Sequence, residues 1–385
     1  NHLNYSQKRC TSSSSSYTGD SGTLFGKSKY VSPHETAFYT PKNPTAHTLK
    51  SEHDEYFDVV VIGAGHAGCE AASAAARTGA KTLLVTQKHS TIGEMSCNPS
   101  IGGVGKGILV KEVDALGGIM AQVSDYAMMH YNTLNRSKGP AVYGPRGQMD
   151  RKLYKLAMQE LLFDNHPNLT ILQASAEDLL FEKQEDASTS RIISGVAMSD
   201  SITGKPYTVK CHSVVITTGT FLKGQIHIGT DIRIPAGRRG DKASIALSNT
   251  LYNVGFQMDR MRTGTPPRLL KSTINFKDLP KQPSELRPEP LSFLHDTLPH
   301  SNPMVFCYET ATNKQTHDVI REYDHLRPSD FVGGGGRGIS PRYCPSIETK
   351  IERFSGRDEH RVWLELEGYD SELVYPNGIS TSLPE

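Results

Sequence analysis

The sequence predicts an α/β chain, a parallel sheet covered by helices with a β-rich excursion, on three observations. The apolar run Val59-Val60-Val61-Ile62 leads straight into Gly63-Ala64-Gly65-His66-Ala67-Gly68 and an alanine-rich helix. A second apolar run after Gly79 completes a β-α-β unit. Further on, several strand-like segments return to a turn of small residues, Thr217-Thr218-Gly219-Thr220.

In order, residues 58–62 read as a buried strand, 66–78 as a helix ending at Gly79, and 81–86 as a second strand. Gly63 permits a tight turn, Gly65 lets a pyrophosphate approach the backbone, and Gly68 lets the helix pack closely on the strand. An acid for ribose hydroxyls is expected after the second strand, but Gln87 and Lys88 stand there. Residues 93–107 form a glycine-rich loop carrying Cys97 and opening a helix over 108–116. Cys97 has two readings: a nucleophile whose thiolate is favoured by the helix start and Lys106, or a small buried filler. An amphipathic helix is expected over 147–163, and strands over 169–174, 177–181, 192–199, 207–211 and 213–217. In that order they read as a β-meander crossing over the sheet and returning to it. A helix follows over 242–251. Residues 266–303 hold eight of the 22 prolines and read as an irregular insertion. Residues 333–338 make either a phosphate cradle or a surface loop, and a strand is expected over 360–367.

At 385 residues the chain is long enough for two or three domains. Lys plus Arg is 42 and Asp plus Glu is 41, so there is no global basic field and any polyanion site must be local. No apolar run approaches the roughly 18 residues of a spanning helix, so no membrane partner is expected. The six cysteines are far apart, with no CxxC pair, which fits neither a disulfide framework nor a zinc module, and no metal site is expected. Residues 1–55 are Ser/Thr-rich, with Asp20 and Glu35 the only acids among the first 50, and read as a disordered tail, either an organelle transit segment or a plain linker. Because the chain starts at Asn1 rather than Met, the natural N-terminus is expected upstream.

Seven blocks together resemble one family: GAGHAGCEAA, GEMSCNPSIGG, SKGPAV followed by Gln148-Met149-Asp150-Arg151, TTGTFLKGQIHIG, RTGTPPR, PRYCPSIE and YPNGISTSLP. This chain is similar, over about 56–385, to the GidA/MnmG tRNA uridine 5-carboxymethylaminomethyl modification enzymes. It departs from them at Gln87, in the glycine-rich 333–340 and at Thr349. The resemblance implies an FAD-binding two-dinucleotide-fold flavoprotein, a Rossmann-like sheet with β-meander plus an inserted α+β domain. It divides the chain into an FAD-binding part, 56–240, and an inserted NAD/substrate part, 241–385. The part that closes the FAD fold and a helical domain are expected beyond Glu385, so these residues alone are expected to be inactive.

The implied activity adds a (carboxymethyl)aminomethyl or taurinomethyl group to carbon 5 of the wobble uridine of mitochondrial tRNA. The implied partners are an MnmE-type GTPase and a second copy in a homodimer, and the implied cofactors and co-substrates are FAD, NADH and methylene-tetrahydrofolate. Carbon 5 of uracil is a poor nucleophile until something adds at carbon 6, and a thiolate is the usual adding group. By family match Cys97 and Cys344 are the catalytic pair, with the order of their action open. Gly63, Ala64, Gly65, His66, Ala67 and Gly68 would serve the FAD pyrophosphate, with Ala176 and Ser244 elsewhere on FAD. Ser340, Pro341, Arg342, Tyr343, Lys350 and Arg353 fall in the family's NAD segment. Arg238, Arg239, Lys242, Arg262 and Arg268 are either tRNA phosphate contacts or solvated charges. Two alternatives stay open: a folate- and FAD-dependent tRNA uridine methyltransferase, and a non-catalytic nucleotide-binding fragment.

Overall fold

In the computed structural model, which describes residues 39–51, 53–182, 191–261, 263–327, 345–381 and 383–384, the first apolar run forms β1 (Glu55–Ile62). Then come α1 (His66–Arg77) and β2 (Thr82–Thr86). A second layer follows: β3 (Ser100–Gly102), α2 (Lys106–Ala115), α3 (Met120–Ala127), β4 (Met128–Leu134), β5 (Gly144–Met149) and α4 (Arg151–Asp164). The chain then returns through β6 (Leu169–Phe181), β7 (Ile193–Asp200) and β8 (Pro206–Ile216).

β8, β1, β2 and β6 pair side by side in parallel, with Val60 opposite both Leu83 and Val214. β6 and β8 are longer than this sheet needs, and their excess pairs antiparallel with β7, so the five strands close into a ring. This is the Rossmann-like sheet with β-meander expected from the sequence. Because side chains alternate across a strand, Val61 faces one core with Leu84, Ile171 and α1, while Val60 and Ile62 face the other with Leu83 and Val196. Ala72 and Ala76 of α1 and Tyr154, Met158 and Leu161 of α4 fill the first core.

The rest comprises a hairpin, β9 (Gln225–Ile228) with β10 (Ile232–Pro235), then α5 (Ala246–Val254) and an α+β part. Its strands are β11 (Leu269–Leu270), β12 (Lys281–Gln282), β13 (Cys307–Ala311), β14 (Arg361–Leu366) and β15 (Leu373–Asn377), with α6 (Lys314–Glu322) and α7 (Ile347–Arg353) between β13 and β14. They form one sheet in the order β11-β15-β14-β13-β12. The proline-rich insertion is anchored: buried Asp125 accepts the Leu291 and Ser292 N–H groups, and Asp114 accepts that of Phe293.

Several expectations are corrected. The helix expected over 147–163 begins at Arg151, because 144–149 pair with β3 and β4 and Asp150 caps the helix. Strands 169–174 and 177–181 are one strand with an irregularity between Ala176 and Asp178, and 207–211 and 213–217 are likewise one strand. The helix expected over 242–251 is displaced to 246–254, because Ser244 is held extended by backbone bonds to Phe221 and Lys223. Of residues 39–51, expected to be disordered, 39–47 lie against α4, where Tyr39 donates to Asp164 and the His47 ring sits 3.0 Å from the Phe163 carbonyl, while Leu49 packs on the second core and the Lys50 N–H donates to Glu55. Residues 1–38 and 333–338 lie outside the described residues. Among the described residues no helix is long and apolar enough to cross a membrane, and no cluster of His, Cys, Asp and Glu could hold a metal ion.

Candidate active site

The carboxyl ends of β1, β2 and β8, with Ala174, Ser175 and Ala176 of β6, open onto a cleft at the edge where ligands of α/β sheets bind. Gly63 makes the turn at φ +100, a conformation that glycine adopts at little cost because it has no Cβ, and a Cβ there would stand 2.5 Å from the Thr217 carbonyl oxygen. The Thr217 hydroxyl locks that turn to the end of β8, donating to the Ile62 and Gly63 carbonyls at 2.9 Å each. A Cβ on Gly68 would stand 1.7 Å from the Gly63 carbonyl oxygen, whereas one on Gly65 would meet nothing within 4 Å. Gly65 lines the cleft and is the N-cap of α1, with no side chain capping the helix, so the first N–H groups remain available to an anion.

Ala64, Ala176 and Ser244 also line the cleft. His66 and Ala67 do not: the His66 ring packs edge-on against Tyr154 at 5.7 Å, and burial lowers its pKa. A carboxylate does stand near the end of β2, but it comes from elsewhere in the chain and both its oxygens are held by cations. Lys88 at the cleft pairs with Asp241 at 2.5 Å and donates to the Gly240 carbonyl, and Arg238 holds the other Asp241 oxygen at 3.0 Å. Burial pushes the Asp241 carboxyl up, but the two cations bring it below its ordinary range. No sequence signal links Lys88 to a residue 153 positions away.

Glu94 and Ser96 line the cleft, and the next residue, Cys97, is exposed. Its Sγ lies 3.8 Å from the Tyr375 hydroxyl of β15. Arg268 donates to the Cys97 carbonyl at 2.8 Å, pairs with Glu367 at 3.2 Å and lies over the Tyr375 ring at 5.1 Å. Arg151 donates to the Met95 carbonyl and pairs with both Glu367 and Glu94, and Lys155 also pairs with Glu94. The cysteine segment is therefore tied to α4 and to the antiparallel sheet. The helix start that the sequence placed beside the thiol comes only at Lys106. Burial pushes the other described thiols up, Cys69 and Cys307 to about 12 and Cys211 to about 11, which leaves them inert as nucleophiles.

Cys344, Ser340, Pro341, Arg342, Tyr343 and Arg262 lie outside the described residues. Lys350 on α7 is half-buried and donates to the Gly378 carbonyl at 2.6 Å, and burial lowers its pKa; Arg353 is exposed. Neither lines the cleft. Arg239 and Lys242 are exposed beside it.

Residues 58–385 match the family described as Glucose inhibited division protein A. The chain is 50% identical over 328 residues to the tRNA uridine 5-carboxymethylaminomethyl modification enzyme MnmG of Granulibacter bethesdensis, covering 85% of this chain and 50% of that protein. It is 49% identical over 331 residues to the mitochondrial 5-taurinomethyluridine-[tRNA] synthase subunit MTO1 of Macaca fascicularis, covering 86% and 46% respectively. The structure is similar to that of Aquifex aeolicus GidA, with a TM-score of 0.76 and 44% identity over 86% of this chain and 53% of that one. The chain thus spans about half the length of the curated relatives it matches.

Proposed function

Because the chain belongs to the glucose inhibited division protein A family, we propose that the whole protein is an FAD-dependent tRNA-modifying enzyme acting at carbon 5 of the wobble uridine. The group added is of the carboxymethylaminomethyl or taurinomethyl type named for its relatives. The observation that carries this reading is an exposed thiol, Cys97, one residue from the cleft that the Gly63–Gly65 turn and the start of α1 line.

The cleft suits FAD. The open side of Gly65 and the uncapped start of α1 would receive the pyrophosphate, with Ala176, Ser244 and the Lys88–Asp241–Arg238 cluster around the remainder. FAD bound there supplies reversible two-electron transfer. One of Cys97 and Cys344 adds as thiolate to carbon 6 of uracil, placing electron density on carbon 5, and the other assists the one-carbon transfer. Expulsion of the same thiolate restores the ring after carbon 5 loses its proton.

NADH serves as reductant, methylene-tetrahydrofolate as donor of the one carbon that bonds to carbon 5, and an amine such as glycine or taurine adds to that carbon to complete the group. The NAD contacts are Ser340, Pro341, Arg342, Tyr343 and Arg353, with Lys350 acting through the Gly378 loop it holds. Arg239 and Lys242, exposed beside the cleft, are candidate tRNA phosphate contacts. An MnmE-type GTPase partner, a homodimer and a mitochondrial setting complete the reading, the last supported by the mitochondrial relative.

The test is mass spectrometry of wobble nucleosides from cells whose intact gene is replaced by Cys97→Ser or Cys344→Ser. Each variant is expected to lose the modification while its purified protein still carries flavin. Full modification by either variant removes that cysteine from the reaction, and full modification in a gene-disrupted strain removes the function.

A further inference from the structure

The Tyr375 ring is buried, and among the described residues its hydroxyl has Cys97 Sγ, 3.8 Å away, as its hydrogen-bond partner. A contact of that length suits sulfur, whose bonds run longer than those of oxygen, and such bonds tighten when the active form is reached. Arg268 fixes both partners, lying over the Tyr375 ring while donating to the Cys97 carbonyl.

The charges around the pair are largely matched among themselves. Glu365 of β14 pairs with Arg146 at 2.6 Å, Glu367 with Arg151 and Arg268, and Glu94 with Arg151 and Lys155. With those charges offset, the feature aimed at the sulfur is the phenol O–H. Burial, and then the neighbouring Cys97 sulfur, push the Tyr375 phenol up, so it keeps its proton near neutrality. Facing an anionic sulfur, it acts as a donor.

We propose that Tyr375 is a positioning residue for Cys97, its hydroxyl donating to the sulfur and favouring the thiolate while Arg268 holds thiol and phenol together. This rests on the reading of Cys97 as the nucleophile for its biological meaning, but the thiol chemistry is measured independently of tRNA. A hydrogen bond to the charged form of a thiol is enough to move its ionisation by about one pH unit, or roughly tenfold in thiolate near neutrality.

The experiment is the rate of Cys97 alkylation by iodoacetamide in the full-length protein from about pH 6 to 10, resolved by mass spectrometry of the Cys97 peptide. Tyr375→Phe keeps the ring under Arg268 and removes only the donor. The expected result is a midpoint about one pH unit higher and a rate at neutral pH lower by roughly fivefold to tenfold. A merely structural role would leave the midpoint where it was, and an unshifted midpoint in folded, flavin-binding Tyr375→Phe overturns the proposal. Should that variant not fold, Arg268→Lys gives the same reading: an upward shift supports the proposal and no shift overturns it. Modification by Cys97→Ser, in contrast, would remove the nucleophile reading and leave the alkylation result standing.

Discussion

Gly63, Gly65 and Gly68 share one turn, yet a methyl group on each would meet different surroundings. At Gly68 it would collide with the backbone of Gly63, while at Gly65 it would enter empty cleft from an N-cap with an ordinary φ of -76. Gly65→Val is therefore expected to abolish bound flavin, read as the loss of its visible absorbance, with thermal unfolding close to that of the parent. Gly68→Ala should instead lower stability by about 3 kcal/mol, since the strand and helix must separate. A Gly65→Val protein that stays stoichiometrically yellow would defeat the assignment of the cleft. At this scale the sequence was legible where chemistry is local: three glycines at fixed spacing. It was silent on Asp241 and Tyr375, because each meets its partner only through folding.

Among the elements, α4 depends on one carboxylate. Asp150 Oδ1 accepts the N–H groups of Lys152 and Leu153 at 2.9 Å, capping the helix, and Oδ2 accepts the Tyr369 N–H from the loop between β14 and β15. One side chain thus orients a helix of the first core and ties it to the antiparallel sheet. Asp150→Ala should cost about 2 to 3 kcal/mol, more than an exposed cap, because a buried N–H is orphaned as well. The midpoint of denaturant unfolding checks this, and a shift equivalent to less than about 0.5 kcal/mol would refute it. The amphipathic pattern that suggested a helix from 147 was real but ran on into β5, since residues buried in a strand also satisfy short stretches of helical spacing. What decided the boundary was pairing with β3 and β4, which lies outside any local window.

Over the whole molecule, burial lowers the pKa of His47, His66, His89, His130, His166 and His300, that of His166 to about 4. A histidine kept neutral by the fold binds fewer protons than in the unfolded chain below about pH 6.5, so acid favours unfolding. The His166 contribution is present above that pH and is withdrawn between about 6.5 and 4, an effect of roughly 3 kcal/mol. The thermal midpoint should be level near neutrality and fall through that window, and His166→Gln should flatten the slope. A midpoint unchanged between pH 7 and 5 would count against it. The paired carboxylate of Asp241, with its lowered pKa, stabilises above its unfolded value near 4 and is lost only at lower pH.

The β1-α1-β2 unit with its glycine turn, the β-meander that follows and, through seven ordered blocks, the family can all be read from the order of the residues. Each of these is written within short windows, where strand and helix periods and the absence of a Cβ act on neighbouring residues. Folding alone brings Asp241 to Lys88 at the cleft, lays residues 39–47 on α4, and sets Tyr375, 278 positions along the chain, against the Cys97 thiol. Such contacts arise when loops close and sheets dock, and a pairing across that distance leaves no periodic trace in either partner's surroundings.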